Sequence, residues 1–533
     1  MLIPLSHPAR YCADALHCYA ALRPQGQRES VLLESADVRS GDSLKSLLML
    51  SASLRLTCEG QRVTAEALSL SGEPALEVLQ SSLGPYRIEA QPQRLTFQFP
   101  LPPAGLSEDE RLKYPSNVEP LRVLQRLLAG ETAHPLQPLL LGVFGFELLA
   151  SFEVLPPVEA GPNTCPDYRF YLAETVLVLN HQTETAELLG LAGPQEAGAV
   201  AEQLSHLAAQ LAVLGPAPAP VPLPVPLPAP QAEAFPPHDT FMAQVAELQE
   251  HIHAGDIYQV VPSRRFTLPC PDALAAYAML KRLNPSPYLF YLEAGEFELF
   301  GASPESALKF TAHTRRAELY PIAGTRARGR DSAGCICPER DRRQELELRL
   351  DRKELSEHLM LLDLARNDLA RVAVPGTRQV ARLLEVDRYS QVMHLVSEVA
   401  ATLRPDLDAL DAYRASMNMG TLSGAPKLEA TSLLRRVEGQ RRGSYGGAVG
   451  YLAGSGDMDT CIVIRSGFVQ GGVCTVQAGA GVVRDSDPAA EADETEQKAR
   501  AVLLAVALAA QAREKRDIPE LGMRRPSRQE ELA

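Results

Sequence analysis

Two kinds of apolar pattern run through the chain. Positions 30–33, 170–179, 460–469 and 473–478 carry dense or alternating apolar residues, which predicts strands. Positions 197–214, 353–371 and 489–512 carry apolar residues three and four apart, which predicts helices. The two kinds do not alternate regularly, so the expected fold class is α+β rather than a doubly wound sheet. From Pro216 to Pro230 every second residue is proline. Alternating prolines lack backbone donors and favour extended geometry, so 216–231 is expected to be a semi-rigid spacer. It divides an N-terminal part, 1–215, from a C-terminal part, 232–512. The charged residues 513–533 read as a frayed tail, and no internal repeat is present.

Within 353–371, Leu355, Leu359, Leu362 and Leu369 are expected on one apolar stripe. Glu354 and Glu357, three residues apart, then share another face. The helix that opens around Glu491 repeats the arrangement with Glu491 and Glu494. Acidic residues near a helix start ordinarily just complement the helix dipole, so either pair alone is surface decoration. Two such pairs converging on one place would suit a hard cation, and all-oxygen ligation favours magnesium over zinc. A di-iron centre would need a Glu-x-x-His partner, whereas His358 directly follows Glu357. Glycines at 443–450 and at Gly479 and Gly481 allow close backbone approach to an anion, but fit no dinucleotide or phosphate-loop spacing.

Composition narrows the classes. Among 533 residues, 45% are hydrophobic and 22% charged, which are globular proportions. The net charge of −14 disfavours nucleic acid as a partner and requires any anion site to be built locally. Nine cysteines, an odd number, fit a reducing compartment. Cys335 and Cys337, the one close pair, read as part of a plain loop rather than a metal site. The start of the chain lacks the apolar stretch of a secretory signal, and the apolar run 501–510 is too short to cross a membrane. A soluble, cytoplasmic protein is expected.

Several motifs then fall in one order: Pro-Ile-Ala-Gly-Thr-Arg at 321–326, Asp-Leu-Ala-Arg-Asn-Asp at 363–368, Gly-Ala-Pro-Lys at 424–427, the glycine-rich 443–451, and Glu-Ala-Asp-Glu at 491–494. With Leu-Leu-Glu-Ser at 32–35, this series resembles the chorismate-utilising enzymes, and within them the enterobacterial type of anthranilate synthase component I. The resemblance spans nearly the whole chain. It departs at the proline-rich spacer and around 335–342, both expected to be loops.

The resemblance implies a large interwoven β-sandwich with surrounding helices, and a reaction of chorismate with ammonia that yields anthranilate and pyruvate. It implies that Glu357 and Glu494 hold magnesium, supported by Glu354 and Glu491. Arg465 and Tyr445 resemble the residues that hold the enolpyruvyl carboxylate, with Gly479, Ala480 and Gly481 adding backbone donors and Lys498 a positive charge. Gly324 and Thr325 would line the same pocket. His394 resembles the histidine beside the C4 hydroxyl, and a near-neutral pKa would suit it as an acid. Glu305, expected as the base, and Thr421 would manage ammonia and its protons.

Two positions bear on the nucleophile. Gln259 stands where isochorismate-forming relatives place a water-activating lysine, and an amide cannot act as that base. Ala323 stands where many aminodeoxychorismate synthases carry a nucleophilic lysine, so direct attack by ammonia is expected. No cysteine lies in Gly-x-Cys-x-Gly, so ammonia is expected from a separate glutamine amidotransferase subunit in a hetero-oligomer. Ser35 and Lys45, with Pro287, Tyr288 and Leu289, resemble the two halves of a tryptophan inhibitor pocket. Leu289 replaces a methionine common there. The rivals are an aminodeoxychorismate synthase and a catalytically inert tryptophan sensor.

Overall fold

The computed structural model describes residues 2–23, 29–36, 43–103, 105–128, 134–219, 223, 230–331, 335–388 and 392–517. Most of the proline-rich spacer, at 220–222 and 224–229, and the tail from 518 onward lie outside the described residues. Antiparallel pairing joins all but one two-stranded piece into a single network. That network folds as two stacked layers, because two long strands run through both.

Ser43–Glu59 and Tyr168–Asn180 pair along their whole length, with register shifts between Met49 and Leu54 where they bend. On one side of the bend, Ser43–Glu59 meets Glu29–Ala36, followed by Tyr288–Ala294, Glu298–Ser303, Ser466–Gln470, Val473–Gly479 and Ser263–Pro269. On the other side, Tyr168–Asn180 meets Leu139–Phe144, followed by Ala448–Ala453, Met458–Ile462, Ser306–Thr311, Arg316–Leu319 and Val392–Thr402. Strands from before and after the spacer therefore share both layers.

Side-chain alternation sorts the core. Leu47 and Met49 point into the space between the layers with Phe290, Leu292, Val449 and Phe468. Their neighbours Leu48 and Leu50 point outward, under helices Ala15–Leu22, Ala197–Val213, Ala273–Leu283 and Pro488–Asp517. The outer face of the second layer is covered by Glu119–Gln125, Arg352–Ala370 and Ala409–Ser416. A strand buried on both faces reads as a continuous apolar run, which is why 47–50 shows no polar alternation. The expected α+β sandwich with surrounding helices is what forms.

Three local expectations are corrected. Helix Arg352–Ala370 buries His358, Leu361, Leu362, Ala365 and Leu369, while Leu359 stays 48% exposed; the stripe lies one position round from the expected one. Residues 338–342 are helical, not loop, because Pro338 starts the helix Pro338–Leu350 with Glu339 and Asp341 in its first turn. The last helix runs on to Asp517. No helix among the described residues is long and apolar enough to cross a membrane.

Candidate active site

The chain twice leaves one layer for the other at adjacent points. Pro304 and Glu305 join Glu298–Ser303 to Ser306–Thr311, and residues 463–465 join Met458–Ile462 to Ser466–Gln470. The single strand expected over 460–469 is thus two strands with a crossover between them. The Ile462 amide donates to the Glu305 carbonyl (3.0 Å) and the Ala302 amide to that of Arg465 (3.1 Å), so the crossovers lie side by side. Arg465 takes a left-handed conformation, φ +49°, at a cost of order 1–3 kcal/mol for a residue with a Cβ. Burial pulls its pKa down against the pull of Tyr445 and Glu494. Among the described residues its guanidinium has neither a hydrogen bond nor an ion pair.

Glu305 is 7% exposed, and its carboxylate accepts a hydrogen bond from Thr421 Oγ1 at 3.0 Å. Burial pushes its pKa up to about 8, with Thr421 and Lys498 acting against the rise. A cavity of about 30 Å³ opens beside the pair, lined also by Tyr320, Leu361, Met419 and Gly420, which is room for one or two water-sized molecules. His394, on Val392–Thr402, is 7% exposed and sits 3.2 Å from the Gly324 carbonyl through Nδ1. A carbonyl only accepts, so Nδ1 carries hydrogen. Burial pulls the imidazole down to about 4 despite that contact, and Arg465 and Lys498 deepen the shift. The surroundings of His394 therefore hold its imidazole below the near-neutral value expected for it.

Gly324, at φ +71°, forms a bulge in Ile322–Ala327 opposite His394, and a Cβ there would meet the Leu348 side chain at 3.0 Å and a Glu354 oxygen at 3.2 Å. Thr325 is the Cα partner of His394, and its side chain lies outside the described residues. Tyr445 is buried with its hydroxyl against the Gly479 backbone, where a Cβ would meet it at 2.9 Å, and burial pushes its pKa up to about 12. Of the expected backbone donors, the Ala480 amide is already engaged by the Pro262 carbonyl at 3.1 Å, so it does not face the pocket as expected. Gly481 brings its backbone against Gln259, where a Cβ would meet Nε2 at 2.9 Å. Gln259 Oε1 is buried without a hydrogen-bond partner. Lys498 Nζ bridges the Gly479 carbonyl (3.0 Å) and Glu494 (2.6 Å).

The two carboxylate helices meet at their starts. Asp351 caps Arg352–Ala370 by accepting from the amides of Lys353 (3.0 Å) and Glu354 (3.2 Å). Lys353, which sequence reasoning did not single out, stands 3.9 Å from Glu357 and 3.6 Å from Glu491. Read along the chain it is merely the i, i+4 partner of Glu357. Burial raises Glu357 to about 7, opposed by Lys353 and reinforced by Glu354, Glu491 and Glu494. Burial also pushes Glu494 up, but Lys498 and Lys353 outweigh it and hold the carboxyl below its ordinary value. Glu354 is engaged by Arg326 at 3.1 Å. Glu357 Oε1 is buried with no hydrogen bond. No three His, Cys, Asp or Glu side chains among the described residues stand in metal-ligating geometry.

Ser35, Lys45 and Tyr288 form one row across three strands: Ser35 opposes Lys45 on one side and Tyr288 on the other. Ser35 Oγ donates to the Lys45 carbonyl at 3.2 Å, Lys45 Nζ lies 5.7 Å from the Tyr451 ring, and Tyr288 donates to Asp459 at 3.2 Å. Burial pulls the Lys45 ammonium below its ordinary pKa against the pull of Asp459. The Pro287 carbonyl accepts from the Ala36 amide at 2.8 Å. Leu289 packs in the outer core on the opposite face of the strand, away from this row. Tyr288 also opposes Ser303, two residues before Glu305.

Residues 93–504 match the chorismate binding enzyme family. The chain is 53% identical over 490 residues to anthranilate synthase component 1 of Salmonella typhimurium, covering 91% of this chain and 93% of that one. It is 52% identical over 490 residues to the Escherichia coli protein of the same name, with the same coverage of each chain. The crystal structure of anthranilate synthase component I from Streptococcus pneumoniae superposes with a TM-score of 0.67 at 26% identity, covering 91% of this chain and 96% of that one. Motif order and fold agree with these likenesses, and the chain belongs to the chorismate binding enzymes, in their anthranilate synthase component I branch.

Proposed function

We propose that this chain converts chorismate and ammonia to anthranilate and pyruvate. The observation that carries it is Arg465, a half-buried guanidinium in a strained backbone position with no hydrogen bond or ion pair among the described residues. In a chain of net charge −14, such a cation is built for an external carboxylate. Tyr445 would hold that carboxylate beside it, with Lys498 adding positive charge at the Gly479 carbonyl.

Magnesium fits the carboxylate cluster. A buried Glu357 oxygen lacks a hydrogen bond, and burial together with the carboxylates of Glu354, Glu491 and Glu494 disfavours its charge, which a divalent cation would stabilise. Glu357 and Glu494 would hold the ion, in keeping with its preference for one or two protein carboxylates alongside water and substrate oxygens. When bound, it would neutralise and orient the ring carboxylate.

Proton handling falls to Glu305, Thr421 and His394. As ammonia adds at C2, the C4 hydroxyl must leave with a proton; pyruvate then departs as C2 loses its hydrogen. Glu305 is poised to accept a proton, next to a cavity of ammonia size. His394 is held neutral chiefly by burial, and Arg465 and Lys498 deepen the shift. Carboxylates bound at those cations would neutralise them and remove their part of the shift, which favours acid character once substrate is bound.

Because kcat/KM reports free-enzyme groups, it should rise with pH as Glu305 ionises, through about 8. The Thr421 hydrogen bond favours the ionised carboxylate. Thr421→Val should therefore move the rise to higher pH, and a rise unmoved by this change would remove Glu305 from the base role.

Ammonia would come from a separate glutamine amidotransferase subunit, and tryptophan would inhibit at the Ser35 row. The deciding experiment supplies chorismate, magnesium and either ammonium or glutamine to the purified chain, then identifies products. Fluorescent anthranilate from ammonium, and none from glutamine, is expected. A non-aromatic amino acid retaining the enolpyruvyl group would identify an aminodeoxychorismate synthase, and no product an inert sensor.

A further inference from the structure

Arg442 is 2% exposed at its side chain and takes no part in the chemistry above. Its guanidinium grips Glu438 with two donors, Nε at 2.8 Å and Nη2 at 2.6 Å. Its other contacts are backbone carbonyls from two distant segments: Nη1 donates to Leu422 O and Nη2 to Val261 O, both at 2.7 Å. Leu422 follows Thr421, the partner of Glu305. Val261 precedes Pro262, whose carbonyl receives the Ala480 amide. The guanidinium also lies 5.5 Å from the centre of the Tyr445 ring and 4.6 Å from that of Phe146. Buried Glu147 fixes the same turn by accepting from the amides of Arg442 (2.8 Å) and Gly443 (3.0 Å).

A buried ion pair gains little net stability over apolar packing, because desolvation offsets its attraction. What apolar packing could not supply is a planar fork with donors in fixed directions. Here those directions join the segment carrying Thr421, which handles protons, to the segments carrying Tyr445 and Gly479, which line the carboxylate-holding side of the pocket. We propose that Arg442 is a positioning residue that sets the spacing between the proton-handling and carboxylate-holding walls of the pocket. This inference rests on the assignment of Thr421 and Tyr445 to that pocket.

The test is a pair of double-mutant cycles, Arg442→Lys with Thr421→Val and Arg442→Lys with Tyr445→Phe, with kcat and KM for chorismate measured per folded enzyme. Lysine retains the charge beside Glu438 but cannot reach both carbonyls. Arg442→Lys should lower kcat/KM at least about tenfold, and each double variant should lose at least about threefold less than the product of its singles. Glu438→Gln, which loosens the grip while leaving Arg442 in place, should show the same coupling with a smaller loss and serves if Arg442→Lys does not fold. Multiplicative effects in both cycles, or a lower melting temperature with unchanged kinetic constants, would overturn the positioning role alone. Should Thr421→Val and Tyr445→Phe each leave kcat/KM unchanged, the pocket assignment falls and the inference with it.

Discussion

Glu357→Gln should lower anthranilate formation at least roughly hundredfold at saturating magnesium, equivalent to about 2.7 kcal/mol of transition-state stabilisation. The amide keeps the size of the side chain and its place on Arg352–Ala370, but no longer offers an anionic oxygen to a cation. The same change relieves crowding, since Glu357 shares its site with Glu354, Glu491 and Glu494. The melting temperature in chelator should therefore stay level or rise while activity collapses. Glu494→Gln should lose comparable activity, with an added effect through Lys498, its 2.6 Å partner. Titration calorimetry would read the metal directly: wild type binds magnesium, and each variant binds it at least about tenfold more weakly. Near-wild-type turnover in either variant would end the metal assignment.

The second large effect is on regulation: Ser35→Arg should raise the tryptophan concentration needed for half inhibition at least roughly tenfold, leaving ammonia-dependent turnover nearly intact. Inhibition from a separate site requires that tryptophan favour one conformational state, with a coupling typically about 1–3 kcal/mol. A lost polar contact in a buried site costs about as much, and the arginine adds bulk and a charge beside Lys45. The Ser35 hydroxyl already donates to the Lys45 carbonyl, which leaves its lone pairs to accept from an ammonium group. The route to the pocket is short: Ser35 opposes Tyr288, Tyr288 opposes Ser303, and Glu305 lies two residues on. Loss of basal activity in Ser35→Arg would show that the row belongs to the substrate site instead. A wild type indifferent to millimolar tryptophan would show that no inhibitor is read there.

How much of this was legible in the sequence depends on the range of the interaction. Glu354 with Glu357, and Glu491 with Glu494, were visible because three-residue spacing on a helix is local geometry. Lys353 among them was not, since its contact with Glu491 joins positions far apart in the chain. The run 460–469 looks like one strand because both layers demand apolar residues, and nothing in periodicity marks the crossover that carries Arg465. His394 was found through motif register, yet its low pKa comes from burial and from Arg465 and Lys498, neighbours supplied by other elements. On Arg352–Ala370, leucines occur on several faces, so pattern alone chose Leu359 where packing chose Leu361 and Ala365.

The two strands common to both layers also constrain how such a chain can be recombined. Glu29–Ala36 is sealed between Ser43–Glu59 and Tyr288–Ala294, and Leu139–Phe144 between Tyr168–Asn180 and Ala448–Ala453. A cut at the proline-rich segment looks like a natural seam for swapping halves between relatives. It would in fact place two long backbone ladders, with the side chains facing across them, at the boundary between foreign sequences. Chimeras joined there inherit every mismatch along both ladders at once, so the two halves are expected to change together over evolutionary time, as one heritable block.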